Sequence, residues 1–143
     1  MFGDSSNELE TKLCDFGFAT QASASSSKAA GSTANFAAPE IRNTGRGSFM
    51  SDIFSIGMTA VQILSRAQPI VTQWDWSKQV ERAMASVADA APCPAAPKIK
   101  QLLLAAVDAN PAKRPNAVVL LAGVAAAMKA AGGDPRMMPS APD

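Results

Sequence analysis

Residues 51–64 read Ser51-Asp52-Ile53-Phe54-Ser55-Ile56-Gly57-Met58-Thr59-Ala60-Val61-Gln62-Ile63-Leu64, and this stretch decides the fold. At helical spacing Ile53, Phe54, Ile56, Met58, Val61, Ile63 and Leu64 cover almost the whole circumference, leaving little polar face. A helix apolar on nearly every side belongs in the middle of an assembly of helices. Ser51 predicts the N-cap, and the pattern carries the helix to about Ser65.

Working outward, a second, amphipathic helix is predicted from about Ser77 to Val87. Pro92, Pro94 and Pro97 mark a linker, with Pro97 in the first turn of a helix reaching Val107. Asn110-Pro111 breaks the chain, and Asn116 caps a last helix that ends before Gly132-Gly133. The proline-containing tail, 132–143, is expected to be disordered. Upstream, Asn43 to Phe49 reads as a loop, and Ala19 to Ala34, nearly all Ala, Ser, Gly and Thr, as a mobile one. Thr11 to Phe16 reads as a short strand or half of a hairpin. The fold class is therefore mainly α, with four helices and a short β segment.

With 143 residues, 48% of them hydrophobic, the chain has enough for one domain with a real core. A net charge of +1 gives no electrostatic reason to expect a nucleic acid or an anionic membrane as partner. The longest apolar run, Ala117 to Met128, is too short to span a bilayer, and the polar, acidic Met1 to Glu10 is not a signal peptide. Two cysteines without any histidine argue against a disulfide framework and against zinc. Cys14 is expected to be a small buried hydrophobe. An intracellular, cytoplasmic location is the default for such a chain.

Asp15-Phe16-Gly17 follows the predicted strand and precedes the polar loop, and Ala38-Pro39-Glu40 closes that loop. Either tripeptide alone is uninformative. The stretch Ser32-Thr33-Ala34-Asn35-Phe36-Ala37-Ala38-Pro39-Glu40 resembles the G-T-x-x-Y-x-A-P-E of eukaryotic protein kinases, with Ser32 for Gly and Phe36 for Tyr. Ser51-Asp52-Ile53-Phe54-Ser55-Ile56-Gly57 resembles the S-D-V-W-S-L-G that opens the central helix of the kinase large lobe. Asn110-Pro111-Ala112-Lys113-Arg114-Pro115 resembles the D-P-x-x-R-P between its last two helices. With DFG and APE in order, the chain is identified as a member of the family, of Ser/Thr type. It resembles the C-terminal lobe of the two-lobed α+β parent fold, starting just before DFG. Residues 1–131 form this partial domain, with the activation segment at 15–40 and the helical lobe at 51–131.

The resemblance implies a role for each matched residue. Asp15 would hold Mg²⁺ bridging the phosphates of ATP, Phe16 would pack beneath the small lobe, and Gly17 would give the backbone its freedom. Thr33 and Phe36 would face the protein substrate, Thr33 marking Ser/Thr specificity. Glu40 and Arg114 would form the buried ion pair that fastens the activation segment to the helical lobe. Asp52 would accept N–H bonds from the catalytic loop. Ser27 and Ser32 are candidate phosphosites, though a serine-rich loop is more often merely solvated. Outside this context Asp15 is an ordinary turn residue, Asp52 a carboxylate favoured by the helix dipole, and Arg114 a surface charge.

Gly45-Arg46-Gly47-Ser48-Phe49 superficially looks like a phosphate-binding glycine loop, but it lacks a third glycine and a following strand with a lysine. It reads as a connection. Trp74 and Trp76 read as packing residues before the next helix.

A sequence without histidine contains no H-R-D in its usual form, so neither the catalytic-loop aspartate nor its asparagine is present. No small-lobe lysine is encoded either. The expectation is a kinase fragment whose complete domain transfers phosphate from ATP to protein Ser/Thr, while the isolated chain, without its small lobe, is inactive and binds no ATP or Mg²⁺. The alternative is a truncated pseudokinase acting as a non-catalytic protein-binding module.

Overall fold

A computed structural model describes residues 14, 19, 35–66, 75–90 and 92–133. The predicted strand at Thr11 to Phe16 and the loop at Ala19 to Ala34 lie outside these residues, apart from Cys14 and Ala19. The tail beyond 133 and Trp74 lie outside them as well. The described architecture is helical: α1 (Pro39–Thr44), α2 (Phe49–Ser65), α3 (Trp76–Ala90), α4 (Ala96–Ala106), a 3₁₀ turn (Pro111–Lys113) and α5 (Ala117–Ala130).

Helix α1 falls partly inside the loop expected at Asn43 to Phe49, which shrinks to 45–48. Pro39 sits in its first turn with φ already set for a helix. Gly45 ends it at φ 66°, a left-handed conformation that glycine adopts without steric cost, and its N–H reaches Ile41 O at 2.7 Å.

The cap of α2 is Ser48 rather than Ser51, and the helix begins at Phe49. Ser51 lies one turn in and is 1% exposed, its Oγ accepting a hydrogen bond from Ser48 N at 3.0 Å. A serine at either position fits the N-cap pattern, and burial decides between them. Ile53, Phe54, Gly57, Met58 and Val61 are buried along one side of α2. The opposite side is not covered among the described residues: Phe49, Ile56 and Ile63 are 68%, 53% and 70% exposed. The all-round apolar pattern is thus used on one face only, because α3 and α4 both pack on the same side.

Helix α3 extends beyond its predicted limits at both ends and buries Gln79, Val80, Ala83 and Met84, an i, i+1, i+4, i+5 stripe. Helix α4 carries Pro97 in its first turn and buries Leu103 and Ala106. Asn116 caps α5 as its Oδ1 accepts from Val119 N at 2.9 Å. Phe54, Met58, Val61, Val80, Ala83, Met84, Leu103 and Val107 meet in one core with Ala38. Burying each large member contributes roughly 1.5–3 kcal/mol before entropy is counted. Trp76 packs against this core, its ring edge-to-face with Phe54 at 5.3 Å and 88°. Cys14 is exposed, not buried: a thiol is buried only where another element covers it, and no described helix does. No described helix is long and apolar enough to cross a membrane.

Candidate functional site

The polar centre of the molecule lies where α1, the start of α2 and the 3₁₀ turn converge. Arg114 forks onto Glu40, with Nη1 to Oε1 at 2.7 Å and Nη2 to Oε2 at 2.8 Å. Two parallel charge-assisted bonds match the planar guanidinium to the carboxylate. The Arg114 side chain is fully buried and that of Glu40 is 21% exposed.

A cation buried so deeply needs every N–H satisfied. Nε donates to Asp108 O at 2.8 Å, and Nη1 also donates to Met50 O at 2.7 Å. The guanidinium carbon lies over the Phe54 ring, 4.9 Å from its centre. Arg114 can reach all of these because Asn110 caps the 3₁₀ turn, accepting from Ala112 N at 3.0 Å, and swings the chain back toward α2.

Glu40 has a second donor, Ser51 Oγ, at 2.8 Å. Burial pushes the Glu40 carboxyl up, but the hydrogen bonds from Arg114, the backbone and Ser51, with the arginine charge, together hold it below its ordinary value. Phe36, just before α1, is half-buried against the core, and its carbonyl accepts from Ser55 Oγ at 2.9 Å.

Asp52 stands apart from this network. It is exposed, on the same stripe of α2 as Phe49, Ile56 and Ile63, and its carboxyl is pushed up by partial desolvation. No described residue donates to it. Asp15, Phe16, Gly17, Ser27, Ser32 and Thr33 lie outside the described residues. Among the described residues no group of three or more His, Cys, Asp or Glu could hold a metal ion. Sequence reasoning missed Ser51 as a partner of Glu40 and Ser55 as a partner of Phe36. The available signal was the spacing of Ser48, Ser51 and Ser55, which places three hydroxyls along one side of the first two turns of α2.

Comparison with known proteins agrees on the family. A model of the protein kinase domain matches residues 2–124. The dual specificity protein kinase zakA of Dictyostelium discoideum is 32% identical over 112 residues, which cover 77% of this chain and 14% of that protein. The dual specificity protein kinase zak2 of the same organism is 31% identical over 112 residues, covering 77% of this chain and 18% of that protein. The chain thus spans less than a fifth of the length of these relatives, and no solved structure matches it. With the domain match extending over most of its length, the chain belongs to the protein kinase family.

Proposed function

We propose that the chain is the C-terminal part of the large lobe of a serine/threonine protein kinase, and that the complete domain transfers phosphate from ATP to protein hydroxyls. The observation that supports this reading is the Glu40–Arg114 fork, which ties the Ala38-Pro39-Glu40 end of the activation segment to the Asn110–Pro115 turn. In the complete domain ATP and Mg²⁺ would supply the phosphoryl group and its charge neutralisation, and Asp15 would be the metal ligand contributed by this chain. Phosphoryl transfer depends on positioning and electrostatics, and a chain of 143 residues without H-R-D or a small-lobe lysine lacks both. The isolated chain is therefore inactive.

The relatives are named for dual specificity, whereas Thr33 supports Ser/Thr type. The test is transfer of radiolabelled phosphate from ATP to Ser-, Thr- and Tyr-containing protein substrates, by this chain and by the longest natural product that carries it. The proposal expects no signal from the chain above an Asp15→Ala control, and Ser/Thr labelling by the longer product. Labelling by the chain itself, or labelling of tyrosine alone by the longer product, would overturn it.

A second reading is favoured by the exposed stripe of Phe49, Ile56 and Ile63 on α2, with Asp52 among them. It makes the chain a non-catalytic binding module of pseudokinase type. In-frame upstream sequence carrying the lysine and H-R-D supports the first reading; sequence lacking them supports the second. Either reading places the protein inside the cell.

A further inference from the structure

The geometry points to Ser55 as the residue that positions the end of the activation segment. Its Oγ lies 2.9 Å from Phe36 O and 3.1 Å from Ser51 O. A serine hydroxyl carries one proton, so the two carbonyls compete for it. The Ser51 carbonyl sits inside α2, where the helix ladder already supplies its donor. Phe36 O receives no other hydrogen bond among the described residues. The proton therefore belongs to Phe36, where it satisfies a half-buried carbonyl that would otherwise stand unpaired.

The bond joins residues 19 positions apart and is part-buried, so water replaces it poorly. It acts on the main chain, and so it fixes the path of 35–38 whatever side chain stands at 36. Ala37 and Ala38, at 2% and 0% exposure, then drop into the core, and Pro39 starts α1 directly behind them. Glu40 is clamped by Arg114 on the far side of the same short stretch. The segment is thus held at two points, a charged one at 40 and a neutral one at 36. That the stretch so positioned faces a protein substrate rests on the function proposed above; the bond itself does not.

The sign of its loss can be worked out. The hydroxyl donates outside α2 and alanine is the better helix former, so removing it leaves α2 no weaker. The damage should fall on the segment alone.

The test is backbone amide hydrogen exchange, read peptide by peptide, on the 143-residue chain and on Ser55→Ala, Ser55→Thr and Ser86→Ala. Ser86 is the control, because among the described residues its hydroxyl is bonded only to Arg82 O within α3. Ser55→Ala should speed exchange at 35–44 by about fivefold, the factor set by one net hydrogen bond. Exchange at 80–84 and 103–106 should stay within about twofold of the parent, as befits sites outside the perturbed contact. Ser55→Thr should restore protection, and Ser86→Ala should change nothing at 35–44. Unchanged exchange at 35–44 in Ser55→Ala, or equal acceleration everywhere, would overturn the assignment. A failed phosphate-transfer assay would sink the functional reading and leave this measurement untouched.

Discussion

The guanidinium carbon of Arg114 lies over the Phe54 ring, 4.9 Å from its centre, while its nitrogens fork onto the Glu40 carboxylate. One side chain therefore joins the apolar core to the polar junction, and its loss is felt by both. Arg114→Ala should destabilise the chain by about 3–5 kcal/mol, because the part-buried Glu40 charge loses its counter-charge and the Met50 and Asp108 carbonyls lose the hydrogen bonds the arginine donates. Arg114→Lys should recover less than half of that, since an ammonium cannot fork. Urea denaturation of the three proteins measures both.

Phe54 is fully buried between Arg114 and the edge-on ring of Trp76. Phe54→Ala should cost about 3–5 kcal/mol through the cavity it leaves. The urea midpoint should fall with little change in slope if the remaining core still unfolds as one unit.

The lowered pKa of Glu40 makes the junction pH-dependent. Its folded pKa is lower than its unfolded one, so the pair's stabilisation is fully present above the unfolded glutamate value of about 4.3. It is lost as pH falls through the lower folded value. Thermal melts from pH 7 down to pH 3 should show a shallower acid loss for Glu40→Gln than for the parent. Parallel curves would mean that the carboxylate carries no such linkage.

Two helical glycines predict opposite results for the same substitution. A Cβ on Gly57 would lie 2.9 Å from Val107 Cγ1 and 3.0 Å from Ala106 Cβ, and the latter cannot move without its backbone. Gly57→Ala should cost about 1–2 kcal/mol despite the better helix propensity of alanine. A Cβ on Gly123 would have Leu102 nearest, its Cδ2 closer than either contact at Gly57, but that is the far end of a half-buried side chain that can rotate away. Gly123→Ala should fall within about 1 kcal/mol of neutral. Thermal melting of both variants side by side checks the contrast.

The exposed stripe on α2 should drive self-association of the isolated chain. Ile56→Lys combined with Ile63→Lys should shift the size-exclusion profile toward monomer. Because both side chains point to solvent, the melting temperature should move by only a few degrees. An unchanged profile would place the association elsewhere.

Helices with a full apolar period or a capping residue were readable from local sequence. Asn116 caps α5, Pro97 opens α4, and the stripe around Val80 and Met84 marks α3. Helix α1 was not readable, because Pro-Glu-Ile-Arg-Asn-Thr contains one sizeable apolar residue and no period. It is held instead by a partner at Arg114, and no local rule of propensity reaches that far. The same limit explains Ser51, which fits an N-cap by sequence but serves as a buried donor to a glutamate on another helix. The pairing of Glu40 with Arg114 was legible only through likeness to a family, since nothing in either residue's neighbourhood names the other. The exposure of Cys14 and of the Ile56 side of α2 depends on which elements come to lie against them, and a single sequence does not state that.

The span between Glu40 and Arg114 also sets a clock. At about 5–20 residues per second, a ribosome needs roughly 4–15 s to make the 74 positions that separate them. Throughout that interval the glutamate has emerged without its guanidinium, and α1 is too short to persist unaided. Helix α1 is therefore made well before the residue that locks it in place, and a nascent-chain protease would find it open until the turn at Arg114 arrives.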